Sequence, residues 1–268
     1  YYGDSAINLD DLQNQWVHFV LSADRDGNIV GYINGVLDDT DSADATDIDN
    51  TGNLEIGRYT SAYAECNISE VAFYNKALSA NEAKTIYNGR EPFNHKDSAF
   101  SGNLTAWWRM GDGVLDKYAA IGDETDTSLG ADVITNGSFA SDSGWNKNSM
   151  WAITGGVAVS DGSGANNINQ SGSLTLDKVY KISFDIVSLT GGTGYAIRTG
   201  NSGAYSETFS TVGTHTVYQM CLGTSNNIYI NAVGSAVGTI DNVIAREFGG
   251  NASGMINMTT SDFEGDTP

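Results

Sequence analysis

At roughly 100–200 residues per domain, the 268 residues of this chain allow one large domain or two ordinary ones, enough to bury cores without disulfide staples. Thirty-three acids against 13 bases give a formal charge of −20, which repels phosphate backbones and anionic lipid heads and argues against nucleic acid or a membrane as partner. Thirty-two glycines, two prolines and only 17% charged residues fit an all-β protein with many turns better than a helical or disordered one.

The charge is uneven. Residues 1–132 carry 23 acids and 8 bases, whereas residues 133–248 carry 7 and 5, so the chain reads as two units with a break near Asp132. The two cysteines, Cys66 and Cys221, fall one in each unit; they form no disulfide framework or zinc spacing and are expected in or near β cores. No apolar run reaches the ~20 residues that span a bilayer. The chain begins at Tyr1 without an initiating Met or a signal-peptide pattern, which reads as a processed chain or a piece of a longer one.

In the first unit, Trp16-Val17-His18-Phe19-Val20-Leu21 alternates as a strand does. Asp24-Arg25-Asp26-Gly27 supplies a turn, Ile29 to Ile33 returns, and Asn34-Gly35 is a hairpin signal because both residues tolerate positive φ. A polar loop follows, in which Asp38, Asp39, Asp41, Asp44, Asp47 and Asp49 lack calcium-loop spacing and read as a solvated acidic cluster, with a weak calcium site as the alternative. Leu54 to Arg58 and Ile68 to Tyr74 read as two further strands. Ser79-Ala80-Asn81-Glu82 is a capping box for a helix over Ala80 to Asn88, with Gly89 as its stop.

Trp16-Val17-His18-Phe19-Val20, Tyr32-Ile33-Asn34-Gly35 and Leu54-Glu55-Ile56-Gly57-Arg58, closed by Ile68 to Ser79 and the helix, resemble the concanavalin A-like laminin G superfamily. The resemblance covers the C-terminal half of that two-sheet jelly roll, over residues 1–95, and implies an open apolar face to be covered. Leu104-Thr105-Ala106-Trp107-Trp108-Arg109-Met110-Gly111-Asp112-Gly113 is similar to the start of a laminin G-like domain in marine bacteriophage structural proteins. Residues 96–132 are thus expected as a connector carrying that start, and residues 249–268 as a laminin G-like tail. Of Trp107 and Trp108, adjacent on a strand, one is expected in a core and one facing a neighbour.

The second unit, residues 133–248, shows alternation at Tyr180, Ile182, Phe184 and Ile186, and short strands at Thr216 to Met220, Ile228 to Asn231 and Ile240 to Ala245. The expected fold is therefore all-β: two β-sandwich units, with one short helix in the first. Asn136-Gly137-Ser138-Phe139, Ser143-Gly144-Trp145 and Ile240-Asp241-Asn242-Val243 resemble carbohydrate-binding modules of the family 4/9 type. That resemblance implies a buried Trp145 and a structural calcium held in part by Asp241, although Ala140 stands where a further acid is usual.

Catalysis leaves no motif. His18, His95 and His215 lie outside metalloprotease and nucleophile-elbow contexts, and no closely spaced pair of carboxylates faces one bond as glycoside hydrolysis requires. Aromatics among amides and hydroxyls point instead to sugar binding. Among Trp145, Trp151, Tyr195, Tyr205, Tyr218 and Tyr229, the expected exposed contacts are Trp151, Tyr195 and Tyr205, binding neutral sugars on the near-neutral unit. The expected function is a non-enzymatic virion appendage, resembling a tail fibre, that binds host glycans beside other virion proteins as a homo-oligomer. A purely architectural virion component and an accessory region of a secreted glycoside hydrolase are the alternatives.

Overall fold

The computed structural model describes residues 9–43, 55–59, 62–64, 66–110, 120–164, 166–202 and 205–254. They are mostly strand, with one α-helix, and divide into two compact units, one up to residue 110 and one from 120 to 254.

In the first unit, β1 (Phe19–Ala23), β2 (Asn28–Ile33) and β3 (Val36–Ser42) form an antiparallel sheet. Asn34 and Gly35, with φ of 50° and 72°, turn β2 into β3, as their sequence signal requires. The first strand starts later than its alternation implies: the hairpin pairing ends where His18 and Asn34 exchange hydrogen bonds, and Trp16 and Val17 lie beyond it. The acidic segment is partly strand, since β3 contains Asp38, Asp39 and Asp41, with Asp38 buried; its remaining acids fall outside the described residues. β4 (Arg58–Tyr59) pairs with β5 (Ala62–Tyr63), so the strand expected from Leu54 is much shorter.

β6 (Val71–Tyr74) begins only after Glu70, whose φ of 55° breaks the pleat. The helix α1 (Ala80–Tyr87) carries both capping-box bonds and ends on Asn88, itself left-handed at φ 49°, one residue before the glycine expected to stop it. Val20, Tyr32, Leu78, Ala83 and Ile86 form the core between sheet and helix. On the other side of β1, Phe19 and Leu21 are each 54% exposed. β7 (Leu104–Trp108) pairs with β6. The segment read as the opening of a further domain thus belongs to the first unit, and both Trp107 and Trp108 are buried.

The second unit starts earlier than its composition break. β8 (Ala120–Ile121) pairs with β18 (Ser253–Gly254), and β9 (Leu129–Asp132) pairs with the end of β17 (Val237–Phe248). The expected connector is therefore shared between the units, and so much of the tail as is described, to Gly254, belongs to the second. β10 (Trp151–Thr154), β11 (Val157–Asp161), β17, β13 (Val179–Gly191) and β15 (Gly213–Met220) run in that order in one sheet, with β9 beside β17. β12 (Asn167–Gln170), β16 (Ile228–Val233) and β14 (Gly194–Thr199) form the opposing sheet. Ile168, Ile230, Ile197, Phe184, Ile182 and Ile240 fill the space between them, a β-sandwich core.

The Asn136-to-Val243 motifs form the clasp of this sandwich. A Cβ on Gly137 would lie 1.9 Å from the Val243 carbonyl oxygen, so only glycine lets the opening segment lie against β17. Val243 N–H then donates to the Gly137 carbonyl at 2.9 Å. Trp145 is buried, its Nε1 donating to the Asn136 carbonyl at 3.1 Å. Cys221 is buried as expected, but Cys66 is exposed.

The helix cap yields a test. Glu82 accepts from Lys76 Nζ and from the Ser79 backbone N–H, which together hold its pKa down from 4.5 to about 2. Its support of the helix is complete above pH 4.5 and lost as pH falls through about 2. Ser79→Ala is expected to destabilise the first unit by about 1 kcal/mol, and NMR of the helix amides during acid titration should show the wild-type helix fraying only toward pH 2.

Candidate functional site

Pleating dictates where side chains of the three-stranded sheet can point. Ile168, Ile230 and Ile197 face the core. Their strand neighbours must face away, and the register aligns them: Asn169 lies opposite Tyr229, and Tyr229 opposite Arg198. One step along, Asn167 faces Asn231, which faces Ala196. The outer face is therefore an amide–aromatic–guanidinium row beside a second row of two amides and a small floor residue. Asn167, Asn169, Arg198, Tyr229 and Asn231 are all half-buried.

Neighbours orient this face. Asn227 Nδ2 donates to the Tyr229 hydroxyl at 3.0 Å. Asn146, bridged to Asn169 through the backbone, donates its side-chain amide to Asn169 Oδ1 and to Ser171 Oγ at 3.2 and 3.0 Å. Arg198 is stacked between two rings, its guanidinium carbon 4.7 Å from the centroid of Tyr205 and 4.5 Å from that of Tyr229. Its Nε is buried and has no acceptor.

Two of the three expected sugar contacts are misplaced by sequence reasoning. Trp151 is 3% exposed, with Nε1 donating to the Asn166 carbonyl, and Tyr195 is fully buried. Their rings pack 5.9 Å apart inside the sandwich. The Tyr195 hydroxyl, 2.7 Å from Ser160 Oγ, ties one sheet to the other, and burial pushes its pKa up. Gly-rich turns flank Tyr195, but its pleat position, shared with Ile197, points inward. Tyr205 remains half-exposed as a wall of the face. Tyr218 is buried against Phe248. Asn167, Asn169, Asn231 and Arg198 were missed as individuals; the signal that could have found them is the polar half of the alternation in Asn167-Ile168-Asn169 and Ile228-Tyr229-Ile230-Asn231.

Asp241 does not assemble a calcium ligand set. It lies opposite Asp185, and its Oδ1 accepts the Asn242 N–H at 2.7 Å. Asp185 is occupied by Asn242 Nδ2 at 2.7 Å and Thr214 Oγ1 at 2.6 Å, bonds that lower its pKa. Among the described residues no group of three His, Cys, Asp or Glu could hold a metal, whereas calcium takes six to eight oxygens.

The first unit has a separate cleft lined by Trp16, His18, Asn34, Glu70, Tyr87 and His95, of about 110 Å³, small against the roughly 300–1,000 Å³ of small-molecule sites. Two carboxylates line it, Glu70 and Glu91; Glu70 accepts from Trp107 Nε1 at 2.7 Å and from Arg109 Nε at 3.4 Å. His18 is driven toward its neutral form by burial, and His95, buried beside it and 2.6 Å from the Tyr74 hydroxyl, has its pKa lowered to about 4 by desolvation and by His18.

Residues 2–84 match a laminin G-type family model described as the concanavalin A-like lectin/glucanases superfamily. A comparison with curated proteins gives no match. Among the described residues, no helix is long and apolar enough to cross a membrane.

Trp151→Ala should lower stability by about 3–5 kcal/mol in denaturant titration, the usual result of emptying a large aromatic site, instead of removing a surface contact. For His95, the unfolded chain takes up a proton near pH 6.5 and the folded one only near 4. The His95 contribution to first-unit stability should therefore be lost as pH drops from 6.5 to 4; in His95→Gln the slope over that range should be shallower, with the remainder due to His18, whose pKa burial also lowers.

Proposed function

We propose that this is a non-enzymatic carbohydrate-binding protein whose second unit holds glycans on the face formed by Asn169, Tyr229 and Arg198. One observation carries the reading: the three-strand register sets an amide, an aromatic ring and a guanidinium side by side on a face turned away from the core. Sugar rings offer apolar C–H faces for Tyr229 and Tyr205, and hydroxyls for the amides of Asn167, Asn169 and Asn231. Asn169 and Tyr229 are half-buried and held by Asn146 and Asn227, so little ordering entropy is added there on binding. The family match to residues 2–84 supports a carbohydrate-binding role, since its description spans lectins and glucanases.

A virion appendage that touches host-surface glycans is the biological setting we infer, from the resemblance of Leu104 to Gly113 to marine phage structural proteins. Single sites of this shallow type bind weakly, and copies presented together on a particle, as a homo-oligomer among other virion proteins, gain avidity through effective concentration. Screening the intact chain on an array of algal and bacterial polysaccharides tests the binding. Tyr229→Ala should reduce it by about 1–3 kcal/mol, in the range of losing a well-placed aromatic contact, with the melting temperature little changed. Silence of the array, even with multivalent display, would leave the architectural role standing in its place.

A further inference from the structure

We infer that the glycan bound on this face is anionic, carrying a uronate carboxylate or a sulfate ester, and that Arg198 is the residue that reads the charge. The inference rests on the glycan-binding reading and sharpens it, reversing the expectation of neutral sugars. Arginine carries a fixed positive charge on a planar fork of donors. The guanidinium of Arg198 is stacked between Tyr205 and Tyr229 at 4.7 and 4.5 Å, and its Nε is buried with no acceptor. Among the described residues no carboxylate pairs with it, whereas two other bases of the unit, Lys147 and Lys178, lie at 2.6 and 3.5 Å from Asp142 and Glu247.

A partly desolvated charge without a counter-ion has already lost much of the hydration that an incoming anion would otherwise have to strip away. An anion placed on the guanidinium's outer edge therefore gains a charge-assisted hydrogen bond at small further cost. A neutral hydroxyl gains only an ordinary one. The surroundings permit the approach. The flanking side chains are the amides Asn167, Asn169 and Asn231 and two tyrosines, and residues 133–248 hold 7 acids against 5 bases, unlike the strongly acidic first unit.

The test is calorimetric titration of the intact chain with galacturonate oligosaccharides and with their methyl esters, which share a backbone and differ in charge. A second arm uses sulfated galactan oligosaccharides and their desulfated counterparts, and the arm with the larger preference identifies the anion. The acid or sulfated form should bind about tenfold or more tightly than its neutral partner, the worth of one charge-assisted hydrogen bond. That advantage should shrink as salt rises. Arg198→Gln should bring the two forms close to parity, both bound more weakly than the acid form is by the wild-type protein. Arg198→Lys, which keeps the charge and loses the fork, should retain a reduced preference, and it decides the matter if the glutamine variant fails to fold. Equal binding of charged and neutral forms, or a preference that survives Arg198→Gln, overturns the inference and leaves the glycan-binding reading intact. No binding of any form, charged or neutral, overturns both.

Discussion

The period-two pleat of the three-stranded sheet β12–β16–β14 is the constraint on which the second unit depends. The register that buries Ile168, Ile230 and Ile197 in one line requires Asn169, Tyr229 and Arg198 to form a line on the reverse. Core and site are thus two faces of one hydrogen-bond ladder. A slip of one residue would bury the amides and expose the isoleucines, so stability holds the site in register. The Tyr195–Ser160 hydroxyl contact between the sheets and the clasp of Gly137 against Val243 brace the same arrangement from inside and from the edge.

The first unit is organised differently. Its core lies between a three-stranded sheet and one short helix, and a second pair of strands is made by β6 with β7, across some thirty intervening residues. Glu70 links these parts: its left-handed backbone ends one segment and begins β6, while its carboxylate receives Trp107 and Arg109 from around β7. Phe19 and Leu21, on the side of β1 away from that core, are each 54% exposed. Apolar side chains gathered on one face are the usual mark of a surface that another element covers.

Much of this was legible in the sequence because the signals are local. The capping box at Ser79 and Glu82, the Asn34-Gly35 hairpin and the strands around Tyr180 and Ile240 all follow from neighbouring residues, whose backbone preferences and alternation need no distant partner, while the burial of Trp145 came from the resemblance of its motif. The all-β class and the presence of two units follow from composition and patterning. Even the Asn-rich character of the sheet's outer face could be read, as the polar half of an alternation.

Tertiary structure decided what depends on partners far along the chain. Trp151 and Tyr195 look like surface aromatics beside turns, yet the opposing sheet covers them, since an aromatic's exposure is set by what packs on its side of the pleat. The unit boundary moved because β7 found β6 and β9 found β17, pairings that local composition does not encode. Arg198 stood out least of all in the sequence. Its meaning arises only when the fold brings Tyr205 and Tyr229 against its guanidinium, with no carboxylate paired to it among the described residues. Short-range preferences shape strands, turns and caps; the apposition of strands distant in sequence determines which side chains become a site.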